Sequence, residues 1–300
     1  MNVNVVPLWL FMQARYRIFC LRREGVPPPW TLDPVLARYH FCNVFREDDA
    51  VTGWVRDHIR EPQAAHPHLW FLLVAARFFN EPRTLHQLLM YGRGMPWGDR
   101  PFAPDEMVES LGALSGRGVR LFRPAYMVRC DAGMTKHEYV VRRVLAPMWD
   151  ERERLTALIR GQATLRGAVA ALTPCYGRAG VLAYEVGTDR RHTAWLHNAP
   201  DINTYAHIGP GAKRGLNRLL GREPSARLSQ AEALQLAVAL RPELQSVWPA
   251  GWPVLELRDV EGAFCEFDKY ERARTGRHGL RHYRPPTPID TSLDIWEGTQ

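Results

Sequence analysis

The stretch "HPHLWFLLVAARFFN", residues 66–80, sets the first constraint on this chain. From Leu69 to Phe79 it is apolar on nearly every face of a helix, so it reads as a helix buried in a core and not as an amphipathic surface element. The 300 residues, 46% of them hydrophobic, are enough to enclose it in one large domain or two lobes. Other segments agree with a helical protein. "TKHEYVVRRVLAPMW" opens with Thr135 and Glu138, and "SQAEALQLAVAL" with Ser229 and Glu232. Both pairs have capping-box spacing ahead of apolar residues at helical intervals. Strand-like runs are limited to "VRLFRPAYMV" (119–128), which reads equally as loop, and "PVLEL" (253–257). "GVPPPWTLDP" (25–34) must be extended or turning, because proline blocks helix there. The expected fold class is all-α.

Composition then narrows the partners. A formal charge of +7 and a pI near 9.4 suit a polyanion. The five cysteines are widely spaced with no C-x-x-C, which fits a reducing cytoplasm. His66, His68, His192 and His197 lack a matching Cys or carboxylate set, so no metal centre is expected from them. The opening "MNVNVVPLWLFMQARYR" has neither the cleavage site of a signal peptide nor the length of a membrane span, so no membrane partner is expected. Nucleotide loops are missing too. Around Gly211 the residue five before is Ala206 and the next is Ala212, which breaks the P-loop pattern. No strand-like run precedes Gly209, which breaks the dinucleotide pattern.

"PDINTYAHIGPGAKRGLNRLLG" (200–221) carries the strongest local charge signal. From 202 to 222 there is no acid, but there are Lys213, Arg214, Arg218 and Arg222. A helix starting near Pro210 would aim free N–H groups and its positive dipole end at an anion, with Gly209 and Gly211 permitting close approach. The alternative is a solvated helix face after a turn. Upstream, Gly177 and Gly180 form a Gly-x-x-Gly turn before the helical "VLAYEV", a hairpin able to lay backbone N–H groups on a DNA phosphate. "RARTGRHGLRHYRPP" holds Arg272, Arg274, Arg277, Arg281 and Arg284 without an acid and reads as a DNA-backbone arm. In "CEFDKYER", Glu266 and Tyr270 share one helix face and Asp268 and Arg272 another, in catalytic roles or as a simple exposed ion pair. Glu185 and Asp189 are likewise four apart on one helix and could face a cleft.

Two resemblances sharpen this reading. The hairpin at Gly177–Gly180 followed 21 residues later by Asp201 in "PDIN" resembles the helix-hairpin-helix DNA glycosylases, where an acid opening a "VDTH"-like helix faces a flipped nucleotide. "PPWTLDPVLARYHFCNVFREDDAVTGWV" (28–55), "DINTYAHIGPGAKRGLNRLLG" (201–221) and "DVEGAFCEFDKYERAR" (259–274) resemble the α-glutamyl/putrescinyl thymine pyrophosphorylases, also described as amino acid:DNA transferases. The first of these elements is similar to the helical domain of the 5-hydroxymethyluracil DNA kinases. The resemblance spans roughly 8–285, with little of it in 95–165.

The resemblance implies a glycosylase-like fold with two helical lobes around a cleft. As one enzymatic unit its approximate parts are 1–165, a hairpin lobe at 166–225, and C-terminal helices with a basic arm at 226–300. It implies a transferase that displaces phosphate or pyrophosphate from activated 5-hydroxymethyluracil in double-stranded phage DNA, using an amino acid or polyamine co-substrate. A coupled DNA kinase would act first, in the cytoplasm of the infected bacterial host. The rivals are a non-catalytic module that presents flipped bases, and a glycosylase acting on modified bases.

Asp201 is then the first candidate base, followed by Glu266, Asp268 and Glu185, with Lys269 beside them. Arg46, Asn43, Asn203, His207, Lys213, Arg214, Tyr270 and Arg272 are candidates for the substrate and its phosphates. Gly177, Gly180, Gly209, Gly211, Arg218, Arg274 and Arg277 are candidates for the DNA backbone. Glu47, Asp48 and Asp49 could hold Mg²⁺ or simply open a helix. Cys42 or Cys265 could add to the pyrimidine ring as a thiolate, and Trp30, Phe41, Phe45 and Tyr205 could stack on a base.

Overall fold

A computed structural model describes residues 3–123, 130–176, 180–276 and 280–285. In chain order the helices are α1 (Val6–Arg23), α2 (Pro34–Arg38), α3 (Ala50–Val55), α4 (Leu69–Phe79), α5 (Pro82–Met90), α6 (Pro104–Gly116), α7 (Lys136–Tyr139), α8 (Ala146–Asp150), α9 (Arg152–Arg160), α10 (Leu165–Leu172), α11 (Gly180–Arg190), α12 (Pro210–Leu219), α13 (Gln230–Val247) and α14 (Leu257–Arg274). No strand occurs among the described residues; an isolated antiparallel bridge joins Tyr39 to His282. The mostly helical expectation is met. The strand expected at 253–257 is not there: Glu256 and Asp259 form a reciprocal cap that starts α14 at Leu257. Residues 119–123 are irregular, and 124–128 lie outside the described residues.

The chain divides into two compact units: residues 1–49 with 200–286, and residues 50–199 with 287–300. In the first unit α14 is the central element. Leu257, Val260, Phe264 and Phe267 recur at helical spacing and are all buried. Each contributes on the order of 1.5–3 kcal/mol of burial. They pack against α1, α2, α12 and α13. The approach of α12 is the closest, because Gly211 and Gly215 face α14. A Cβ on Gly215 would overlap the Phe264 carbonyl oxygen, and one on Gly211 the Cys265 sulfur. Gly211 is thus a packing residue here. Residues 281–283 return to the end of α2, where Arg281 O accepts from His40 N–H at 2.9 Å and Tyr283 N–H donates to Arg38 O at 2.9 Å.

The second unit is built on α4, all eleven of whose residues are buried, as its uniform apolarity requires. Its one charged side chain, Arg77, donates to both carboxylate oxygens of Asp189 on α11 and to Thr52 Oγ1. Burial of a charge is tolerated when it is paired in this way. The capping boxes at Thr135 and Ser229 form as expected, and α12 begins at Pro210. No described helix is long and apolar enough to cross a membrane.

Candidate functional site

The segment Phe41–Asn43 in the first unit is held from both sides. Arg15 is buried because α1 turns the face bearing Leu8, Phe11 and Met12 inward. Its Nη2 donates to Phe41 O at 3.1 Å, Cys42 O at 3.2 Å and Asn43 Oδ1 at 3.2 Å. Asn43 donates its N–H to Asp49 Oδ1 at 2.9 Å and its amide to Asp48 O at 2.8 Å. From α14, Glu266 Oε2 accepts the Cys42 N–H at 2.9 Å and lies 3.2 Å from Lys269 Nζ. That ammonium stands 4.9 Å from the centre of the Phe41 ring. The structure therefore brings together Glu266, Lys269 and Asn43 with Phe41, a carboxylate, a cation and an aromatic ring on one short segment.

Its electrostatics are set by burial. Burial raises the Asp49 carboxyl to about 6, and the nearby Glu266 charge adds to it. Burial, then Lys269 and Arg281, lower the His40 imidazole to about 4, so His40 is neutral at pH 7. The Glu266 charge, then loss of hydration, pushes the Cys42 thiol well above its ordinary range. Loss of hydration at the sulfur, then Glu266 and Glu261, pushes the Cys265 thiol up to about 12, although both cysteines keep exposed surface. Both shifts run against a resident thiolate at neutral pH. Phe41 and Phe45 are core residues. Trp30 lies against the Arg22 guanidinium, and Tyr205 is half-buried. Among the described residues no group of three His, Cys, Asp or Glu side chains could hold a metal ion. Asp49 in particular is turned to Asn43.

Asp268 has a different environment. Its side chain is 1% exposed and accepts from Arg214 Nε at 2.8 Å and Arg218 Nε at 2.9 Å, both on α12. Arg272 Nε lies 3.3 Å away. Burial alone would raise this carboxyl, but the Arg218 and Arg214 hydrogen bonds outweigh it and hold it below the usual carboxylate range. The sequence spacing showed the Arg272 pair and left it either catalytic or a simple exposed ion pair; the structure makes Asp268 the buried centre of three arginines. Arg214, Arg218 and Arg272 are consequently engaged with protein. Lys213 makes no ion pair or side-chain hydrogen bond among the described residues.

The remaining candidates are dispersed. Asp201 sits on the turn 200–204, where its carbonyl oxygen accepts from Thr204 and Tyr205, and helix resumes only at Pro210. The helix expected to open at Asp201 is therefore corrected to a turn. Asn203 Oδ1 accepts the Leu257 N–H at 3.2 Å and so fixes the start of α14. His207 is half-buried in the irregular segment before α12, and Gly209 N–H reaches Glu261 Oε1 at 3.4 Å. Arg46 lends its backbone N–H to Asp259. Tyr270 donates to Asp33 Oδ2 at 2.7 Å, while the other Asp33 oxygen caps α2. Arg274 pairs with Glu271 at 2.8 Å on the exposed end of α14, so Arg272 and Arg274 belong to a helix and not to an irregular arm.

Glu185 and Asp189 face the interior of the second unit, because α11 packs on α4 and α10. They do not line a cleft. Gly180 opens α11; Gly177 and Arg277 lie outside the described residues.

Asp259 shows what the sequence did not signal. Burial pushes its carboxyl up to about 7, against the Glu256 and Arg46 N–H groups that favour its charge. A carboxyl raised on folding stabilises the fold fully below its ordinary range, and that contribution is lost as pH rises through about 7. Asp259→Asn keeps one acceptor oxygen for the Glu256 N–H and removes the titration. Its thermal stability relative to the natural protein should therefore improve by about 2 kcal/mol between pH 5 and pH 8. A difference constant with pH would show that Asp259 ionises in its ordinary range.

A groove of about 900 Å³ opens on the same unit, lined by Phe11, Phe267, Asp33, Tyr270, Arg218 and Arg274 among others. Its walls are apolar, with both charge signs present. The class defined so far is a helical protein whose first unit combines a carboxylate–ammonium pair, an arginine cluster and a mixed-charge groove. Residues 4–279 match the family described as 5-hmdU DNA kinase, helical domain, and the chain belongs to that family. It is 25% identical over 275 residues to the 5-hmdU DNA kinase of Bacillus phage SP10, which covers 82% of this chain and 41% of that relative. The chain thus spans less than half the length of the relative. No solved structure matches it.

Proposed function

We propose that this chain is a DNA-modifying transferase of phage thymine hypermodification. It would displace phosphate or pyrophosphate from activated 5-hydroxymethyluracil in DNA with an amino acid or polyamine. The observation that carries the reading is the Glu266–Lys269 pair beside the Phe41 ring. The amine nitrogen attacks the exocyclic methylene carbon. The carbon–oxygen bond breaks, and its electron pair leaves with the phosphate, which Lys269 attracts. The proton lost by the amine passes to Glu266. The mixed-charge groove suits a zwitterionic or polycationic donor. Family membership supports the DNA context. A glycosylase-like ancestry and base flipping belong to the same proposal.

A second reading, a module that presents bases to a kinase, is favoured by the engagement of Asp268 with three arginines. One assay separates them. DNA containing 5-hydroxymethyluracil is treated with a cognate kinase and ATP, then with this protein, mixed amino acids and putrescine, and its nucleosides are weighed. A nucleoside heavier by one amine component, absent without the kinase, is expected. Unchanged nucleosides with retained DNA binding would favour the presenting module, and abasic sites a glycosylase. Glu266→Gln should lower the transfer rate at least tenfold while leaving DNA affinity within about twofold.

A further inference from the structure

The second unit contains a charge that its own residues leave unanswered. Arg190, the last residue of α11, is 1% exposed, and its Nε, Nη1 and Nη2 are all buried without a hydrogen-bond partner. Among the described residues no other arginine has all three guanidinium nitrogens in this condition. An unpaired buried cation is costly, because the loss of hydration is not offset by an opposite charge. A second cation, Arg160 at the end of α9, adds to this cost. The acid next to it in sequence, Asp189, is taken by Arg77. From Arg190 to Pro200 the chain has no other acid.

Both guanidinia face one indole. The Trp195 ring centre lies 5.1 Å from Arg190 Cζ and 4.9 Å from Arg160 Cζ. Trp195 is half-buried on the turn that follows α11, whereas Arg160 is exposed. Two arginine forks gathered at one indole, with no carboxylate bonded to Arg190, offer the donors that suit a phosphate group, which accepts several charge-assisted hydrogen bonds at once.

We infer that Arg190 and Arg160 form a phosphate-binding site covered by the Trp195 indole, which moves aside when the anion enters. The ligand is a phosphate group, free or in the DNA backbone; the site is independent of the Glu266–Lys269 chemistry in the other unit.

The test uses the full chain. Inorganic phosphate, compared with sodium chloride of equal ionic strength, should raise the thermal midpoint by about 2–5 °C. Arg190→Met should raise the midpoint in chloride, by removing the unpaired charge, and abolish the response to phosphate. Arg160→Gln, an exposed change that leaves the core intact, should weaken the phosphate response at least threefold. A short DNA duplex is the second probe. A loss of about tenfold in its affinity for both variants assigns the phosphate to DNA, and a response to inorganic phosphate alone assigns it to a free anion. If neither probe responds to either substitution, Arg190 is only a poorly paired core residue and the inference fails. Because nucleoside masses read the transferase separately, either proposal can fail alone.

Discussion

Replacing Asp268 with alanine should cost the protein about 3–5 kcal/mol of stability, the range for removing one partner of a buried ion pair. The reason is the asymmetry of the cluster. Asp268 is buried, whereas Arg218, Arg272 and Arg214 reach water to increasing extents, at 17%, 32% and 41% side-chain exposure. Losing one arginine leaves the carboxylate two partners. Losing the carboxylate leaves three like charges converging with none opposite. Arg272→Ala, which removes a contact without hydrogen-bond geometry, should therefore cost less than about 1 kcal/mol. Because the arginine bonds hold the Asp268 carboxyl below its ordinary range, its contribution is present above about pH 4 and lost as pH falls. Urea denaturation of the two variants at pH 7 and pH 3.5 checks all of this. Asp268→Asn with natural stability but no transfer activity would move Asp268 out of the scaffold and into the chemistry.

The parts of the molecule that were legible are those fixed by neighbours in sequence. The enclosure of α4 follows from a run of eleven residues broken only by Arg77, and the starts of α7 and α13 follow from caps that span three positions. The start of α14 was hidden because its cap is Glu256, an unusual residue for that place, after a run with strand-like valine and leucine. The candidate site was legible as a set of residues but not as a geometry. Spacing along α14 pairs Asp268 with Arg272, but its two hydrogen-bonded arginines come from α12, 50 and 54 residues away. Glu266 and Tyr270 share a face of α14, yet one reaches Cys42 and the other Asp33. Arg190 reads in sequence as an ordinary cation at a helix end; only tertiary packing makes it a buried one.

The second large effect concerns the glycines of α12, where helix propensity and packing predict opposite signs. In an exposed helix Gly→Ala gains up to about 1 kcal/mol. At Gly215 it should instead cost about 2–4 kcal/mol, because the new methyl group meets the Phe264 carbonyl oxygen and the backbone of α14 cannot move aside without breaking its own hydrogen bonds. Gly211→Ala meets the Cys265 side chain, which can rotate, so propensity and crowding should nearly cancel and the change should stay within about 1 kcal/mol. Gly262, on α14 with open space around its Cβ direction, is the control and should gain stability when replaced by alanine. Thermal denaturation of the three variants orders them as Gly262, Gly211, Gly215. A Gly215→Ala protein as stable as the Gly262→Ala protein would mean that α12 and α14 do not meet backbone to backbone, and with that contact the arginine cluster on Asp268 would have to be redrawn.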